Sequence, residues 1–241
     1  MSATVEQLQS SYTTHVTHKN ARTSYLVTYN CCCLFVWFLI GLRTLMFNPI
    51  YPNNRRRWYD KVGFLVSLAT ALPILEVVHA AIGLVRSDAV TTFMQVASRM
   101  HVSFFIWRLL PVTHLMASTA LVITAWTLSE FCRYPFYIFQ LIRKDVPYCL
   151  KWLRYSAFLV LYPLGILGEV LTMVKAVDLF KTSKFEHWPV PMPNRMNFEL
   201  NLSYVYMWVL LLYVPGSVHM YSHMCLQRKK ALKGCTSDKS Q

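Results

Sequence analysis

The sequence predicts an all-α polytopic membrane protein, a bundle of six transmembrane helices around an internal polar pocket. Three observations predict it. Hydrophobic residues make up 55% of the 241 positions and charged ones only 15%, too apolar a balance for an ordinary soluble domain. The apolar residues form runs of span length, since about 20 helical residues cross roughly 30 Å of hydrocarbon. Several of these runs also enclose ionisable side chains, which must face one another or water rather than lipid.

The runs place spans at residues 24–47, 61–85, 89–111, 113–134, 152–174 and 202–226. The first is uninterrupted. No apolar core follows a basic start within Met1–Ser24, so a cleaved signal is not expected and this span should remain as an anchor. Its Cys31, Cys32 and Cys33 are adjacent, and the seven cysteines contain no C-x-x-C, which argues against a disulfide framework or a zinc site and for small packing residues. The second span follows Arg55-Arg56-Arg57 and encloses Glu76. The third, with Gln95, Arg99 and His101, and the fourth, ending in Glu130 and Arg133 before Pro135, are the most polar. The fifth carries Tyr162 and Glu169. The sixth contains His219 and His223, which could share a metal at i,i+4, but no second histidine box accompanies them and no metal is expected.

One domain is expected, with residues 1–23 as an N-terminal tail, 24–226 as the bundle and 227–241 as a C-terminal tail. An even number of spans puts both tails on one side, and the balance of basic residues favours the cytosol. The longer connections are residues 48–60 and 175–201, the latter with Pro189, Pro191 and Pro193. The net charge of +13 is scattered between the apolar runs rather than massed on one module. That argues against nucleic acid and for the lipid bilayer and a phosphorylated substrate. No inverted repeat of broken helices is present, which argues against a secondary transporter.

The chemistry concentrates in Tyr162-Pro163-Leu164-Gly165-Ile166-Leu167-Gly168-Glu169. Seven helical steps return almost to the starting direction, so a phenol and a carboxyl face the same way about 10 Å apart, an acid/base pair. Pro163 removes a backbone donor and can kink the helix beside Tyr162. Gly165 and Gly168 allow close helix approach or clear room for a ligand. Counting inward from the cytosolic ends brings Glu76, Gln95 and Arg99 to a depth similar to that of Tyr162. Gln95 and Arg99 share a helix face, and Arg99 is expected to pair with Glu76 across the bundle. Glu130 and Arg133 read either as an interfacial ion pair or as the mouth of the pocket. The run His79-Ala80-Ala81-Ile82-Gly83-Leu84-Val85-Arg86-Ser87 imitates a phosphatase phosphate loop, but Ala80 stands where the thiolate nucleophile is required. No GxGxxG, P-loop or Ser-His-Asp order can be assembled.

These residues resemble those of the eukaryotic 3-hydroxyacyl-CoA dehydratases of very-long-chain fatty acid elongation, also called protein tyrosine phosphatase-like proteins. The resemblance rests on the segments Leu75–Ser87, Gln95–Arg99, Ala125–Tyr134, Leu153–Tyr155 and Tyr162–Glu169. It implies a six-span protein of the endoplasmic reticulum membrane with cytosolic termini, acting as a hydro-lyase with Tyr162 and Glu169 as the catalytic pair. It also implies that Glu76, Gln95, Arg99, Arg133, Arg154 and Gly165 bind substrate or support the site. Its implied partners are a long-chain 3-hydroxyacyl-CoA, an elongase, a ketoacyl-CoA reductase and an enoyl-CoA reductase.

Eliminating water from such a substrate takes a proton from the carbon beside the thioester and protonates the departing hydroxyl. Two positioned groups suffice, without cofactor. The expectation is Glu169 as base and Tyr162 as proton donor, although the reverse assignment fits the spacing too. Arg99, or a backbone donor near Gly165, is a candidate to stabilise the enolate. Arg143, Lys144, Lys151 and Arg154 are candidates to meet the CoA phosphates near water, with the acyl chain running inward between helices. Two other readings fit the composition: a catalytically silent scaffold of the elongation enzymes, and an ion or proton transporter. The scaffold has no need of the Tyr162 and Glu169 pair, and the transporter needs a continuous polar path that the oily lower halves of the helices do not offer.

Overall fold

The computed structural model describes residues 2–85, 87–143, 145–182, 195 and 201–237. Every regular element among them is helical. Helix α1 spans Ser2–Phe47, so much of the expected N-terminal tail continues the first helix. No proline interrupts it, and it stops at Asn48, whose φ of 30° is followed by Pro49. A 3₁₀ turn at Pro52–Asn54 leads into α2, Arg55–Ala71, and then α3, Ile74–Ala81. The break between α2 and α3 falls at Pro73, and the Tyr29 hydroxyl donates to the Leu72 carbonyl at 3.1 Å beside it.

Helix α4, Ala89–Met100, starts at Asp88, whose side chain accepts the Thr91 N–H at 2.8 Å. The Thr91 hydroxyl and backbone bonds hold the exposed Asp88 carboxyl below the usual carboxylate range. The chain then widens into a π turn at His101–Ile106 before the short α5, Trp107–Leu109. Ser103 explains the widening: its hydroxyl reaches back to the Arg99 carbonyl at 3.0 Å and meets Thr70 of α2 at 2.9 Å, competing with the regular ladder. After a 3₁₀ turn at Pro111–Leu115 come α6, Ala117–Ile142, α7, Tyr148–Ser156, α8, Phe158–Lys181, and α9, Leu202–Ser237.

Four helical stretches among the described residues are long and apolar enough to cross a bilayer: Asn20–Phe47, Pro52–Ala81, Tyr148–Lys181 and Leu202–Leu232. The spans expected at 89–111 and 113–134 fall on α4 to α5 and on α6, which carry Arg99, Arg108, Glu130 and Arg133 and are not among those four. Helix α6 also runs through Pro135 to Ile142, past the expected end at 134. A proline inside a helix removes one hydrogen bond, a loss that packing on both sides can outweigh.

That helix is the centre of the fold. It packs on α1 along one side and on α8 along the other, α9 covers α8, and α2 lies against α1. Trp37, Trp58, Val102, Trp107, Ile123 and Phe180 fill the interior, while Phe35, Phe64, Trp208 and Leu211 face outward. Large outward apolar side chains suit a lipid environment.

The α6–α8 contact depends on Gly168. A Cβ there would lie 2.6 Å from Val122 Cγ2, 3.1 Å from the Ser118 carbonyl oxygen and 3.3 Å from the Val122 nitrogen. Two of these atoms are backbone and cannot turn aside. Gly168→Ala is therefore expected to destabilise the bundle by about 1–3 kcal/mol, the usual cost of overpacking, read as a lower melting midpoint of the detergent-solubilised protein.

Candidate active site

Helix α6 carries Trp126, Glu130, Arg133 and Tyr134, which recur at helical spacing and line one side of a charged cluster. Arg133 grips Glu76 of α3 with both terminal nitrogens, at 2.8 and 3.0 Å, and its Nε donates to Glu130 at 2.7 Å. Arg99 of α4 donates to the other Glu130 oxygen. Tyr134 and Tyr29 donate to Glu76 at 3.1 and 3.4 Å. Two carboxylates and two guanidinium groups thus neutralise one another around Glu130, which is 0% exposed.

The sequence led us to expect Arg99 on Glu76. The structure instead gives Arg99 to Glu130 and Glu76 to Arg133: α3 and α4 pack on each other directly, but α6 brings a counter-charge to each of the two side chains. Glu130 and Arg133 are accordingly a buried hub and not an interfacial pair. Gln95 does not join the cluster: its side chain is exposed and its Nε2 lies 4.0 Å from Met220 Sδ. The i,i+4 spacing puts Gln95 and Arg99 on one face of α4, but only Arg99 reaches the cluster.

One turn before Glu130, the Trp126 ring lies under the Arg99 guanidinium, 5.4 Å from its centroid. The same indole donates its N–H to Glu169 Oε1 at 2.9 Å, and the Tyr213 hydroxyl of α9 donates to Oε2. Glu169 is 5% exposed. Charge and hydrogen bonds therefore run without a break from Glu76 through Arg133, Glu130, Arg99 and Trp126 to Glu169.

Tyr162 is half-buried and has separate partners. Its hydroxyl donates to the Ser217 carbonyl at 3.3 Å and its ring stacks on Tyr221 at 6.0 Å. Pro163 lies within a continuous α8, so Tyr162, Gly165 and Glu169 at i, i+3 and i+7 keep one helix face. A Cβ on Gly165 would meet only the Ala125 Cβ, at 3.9 Å. The two glycines of α8 thus differ: Gly168 is needed for packing, whereas a Cβ at Gly165 would find ordinary contact.

At the other end of α6, Arg143 is exposed and Lys151 half-buried. Arg154 reaches the Tyr137 hydroxyl at 3.4 Å and lies 5.7 Å from that ring. Lys144 lies outside the described residues, as do Arg86 and the prolines at 189, 191 and 193. His219 and His223 are exposed, with His223 Nε2 at 2.8 Å from Gln227.

Sequence reasoning missed Trp126 and Tyr213. A signal existed for the second, since Tyr206 and Tyr213 stand at i,i+7 on α9 and so share a face. Trp126 was visible as i−4 from Glu130.

Residues 70–234 match the family of protein tyrosine phosphatase-like proteins, PTPLA. The chain belongs to that family. It is 35% identical over 90% of its length to the very-long-chain (3R)-3-hydroxyacyl-CoA dehydratase hpo-8 of Caenorhabditis elegans, covering 98% of that protein. The very-long-chain (3R)-3-hydroxyacyl-CoA dehydratase PASTICCINO 2 of Arabidopsis thaliana is 35% identical over 88% of this chain and 94% of its own. The very-long-chain (3R)-3-hydroxyacyl-CoA dehydratase 2 of Mus musculus is 34% identical over 87% and 81%. No solved structure matches the chain. The phosphatase in the family's name has no counterpart in the described loop after α3. Ala80 offers no nucleophile, and the N–H groups of Leu84 and Val85 are turned onto the His79 carbonyl at 2.7 and 3.3 Å rather than toward a phosphate.

Proposed function

We propose that this protein is a very-long-chain (3R)-3-hydroxyacyl-CoA dehydratase, forming trans-2-enoyl-CoA and water. The observation that carries the reading is the shared face of α8 on which a phenol, Tyr162, and a buried carboxyl, Glu169, flank Gly165, where only a Cβ's worth of space stands open against Ala125, in a chain whose relatives bear that name.

The hydrogen-bond roles favour one assignment. Glu169 only accepts, from Trp126 and Tyr213, whereas Tyr162 donates. Glu169 then takes the proton from the carbon beside the thioester, the electron pair forms the new double bond, and Tyr162 transfers its proton to the departing hydroxyl to make water. The substrate hydroxyl takes the place of the Ser217 carbonyl as acceptor of the Tyr162 hydrogen bond. Arg99, committed to Glu130 and Trp126, holds the wall behind Glu169 rather than the enolate. Further along α8, an open groove of about 540 Å³ on the surface, with Met116, Leu171 and Val174 on its apolar side and Lys175 and Asp178 at its edge, is where the acyl chain leaves the bundle in this reading.

In this reading all six expected spans, α4–α5 and α6 among them, cross the endoplasmic reticulum membrane and enclose a polar pocket open to the cytosol, with both termini cytosolic. Alternation of substrate among an elongase, a ketoacyl-CoA reductase, this protein and an enoyl-CoA reductase follows from the chemistry of the product. Arg143, Lys144, Lys151 and Arg154 hold the CoA phosphates near water.

The direct test is conversion of a long-chain (3R)-3-hydroxyacyl-CoA by the purified chain, followed by mass. Absence of the enoyl product across chain lengths would sink the reading in favour of a scaffold. Joint Lys151→Ala and Arg154→Ala replacement is expected to raise KM for the CoA thioester about tenfold and to leave the acyl-pantetheine thioester, which lacks the nucleotide phosphates, unaffected. Gly165→Ala, whose Cβ would meet only Ala125 at ordinary contact distance, is expected to lower turnover while the protein stays folded. Its melting midpoint, compared with that of Gly168→Ala, separates the two effects.

A further inference from the structure

The Glu169 carboxylate is held by donors from two different helices, and neither donor belongs to the segment that carries the acid/base pair. Trp126 of α6 donates to Oε1 at 2.9 Å and Tyr213 of α9 donates to Oε2. Two donors on two oxygens fix both the position and the plane of a carboxyl group, where one would leave it free to rotate about its terminal bond. Tyr213 is itself placed by its helix. Ser217, whose carbonyl accepts the Tyr162 hydroxyl, follows it at i+4 on the same face of α9. The partners of Tyr162 and Glu169 therefore stand one turn apart on α9, while the two side chains themselves stand about two turns apart on α8. Helix α9 thus supplies a partner to each of the two reacting groups, while Gly165 between them on α8 faces Ala125 of α6.

We infer that Tyr213 and Trp126 are positioning residues of the dehydration, a two-helix clamp that fixes the Glu169 carboxylate. The inference rests on the dehydratase reading above. Neither residue touches the substrate carbons; each acts through Glu169. Proton abstraction is steeply sensitive to placement, and a displacement of about 1 Å can cost about 100-fold in rate. A carboxyl freed on one side still accepts a proton and the substrate still binds, so the loss falls on kcat and not on KM.

Tyr213→Phe tests this, because the ring and its packing stay and only the hydroxyl goes. The expected result is a fall of about 30- to 100-fold in kcat with KM changed less than about threefold. With substrate deuterated at the carbon beside the thioester, the isotope effect on kcat should equal or exceed that of the parent, since the slowed step is removal of that proton. Trp126→Phe removes the other donor from another helix and should give the same signature. Tyr206→Phe serves as the control. Tyr206 lies one heptad earlier on α9, in an aromatic cluster with Phe180 at 5.2 Å and His101 at 5.6 Å, and its variant should keep parental kcat.

Parental kcat in both Tyr213→Phe and Trp126→Phe overturns the clamp and leaves the dehydratase reading standing. A lowered kcat whose isotope effect collapses toward unity, or a change in KM alone, also overturns it, since a loosened bundle and not a misplaced base would then limit turnover. A parent protein without dehydratase activity removes both the reading and the clamp, and that outcome is told apart by the parent assay alone.

Discussion

Glu169→Gln is expected to lower kcat by about 1,000-fold or more, with the protein still folded. The amide is nearly the same size as the carboxyl, and its oxygen can keep the 2.9 Å bond from Trp126. Its nitrogen faces the Tyr213 hydroxyl, which can rotate to accept instead of donate. Packing is therefore kept and only the proton acceptor is lost. Tyr162→Phe should cost less, about 100-fold, because water can replace a missing proton donor more readily than an amide can replace a base. Steady-state formation of the enoyl thioester, with the melting midpoint of each variant as the fold control, measures both. Glu169→Gln turning over within about tenfold of the parent would sink the assignment of Glu169 as the base. The order of the two losses is a separate check: a larger loss in Tyr162→Phe would reverse the acid and base roles.

The helical class and the apolar runs could be read directly from the sequence, because bilayer-length runs of Leu, Val, Ile and Phe have few alternatives. Helix ends were less legible. Pro135 reads as a stop, yet α6 passes through it, just as α8 runs on through Pro163. Proline forbids one hydrogen bond locally, but neighbouring helices decide whether the chain continues. The site divides in the same way. Tyr162, Gly165 and Glu169 share a face because they share a helix, and one helix has a fixed period. The pairing of Arg99 depends on side chains from helices distant in sequence: α3, which carries Glu76, packs directly on α4, yet Glu76 is taken by Arg133 and Arg99 goes to Glu130 of α6. Gln95 stays outside the charged cluster although it shares a face of α4 with Arg99, because the longer Arg99 side chain reaches Glu130 and Gln95 is exposed. Tyr213 lay too far along the chain from Glu169 for any local spacing to connect them.

The placement of Glu130 leads to the largest stability effect. Replacing it by alanine leaves Arg99 and Arg133 with Glu76 as their remaining carboxylate, so the cluster changes from neutral to one excess positive charge. Breaking a buried charge cluster by removing one partner typically costs about 3–5 kcal/mol, mostly because the charges left behind lose their compensation. The charge left behind sits on Arg99 and Arg133, whose side chains keep 23% and 15% exposure, so solvent relieves part of that cost. Glu130→Ala is expected to lower the melting midpoint strongly and to reduce recovery of monodisperse protein from detergent. Activity should fall with it, since Arg99 also lies over the Trp126 ring that holds Glu169. A second substitution decides whether charge or volume is responsible. Glu130→Gln alone keeps the volume but leaves the excess charge, and it should be nearly as harmful as alanine. Adding Arg99→Gln restores neutrality with two amides that can bond to each other, and should recover a large part of the lost stability. Their coupling, measured by a double-mutant cycle on the melting midpoint, is expected to be at least about 1 kcal/mol. Strict additivity of the two substitutions would mean that Glu130 stabilises the bundle through packing alone.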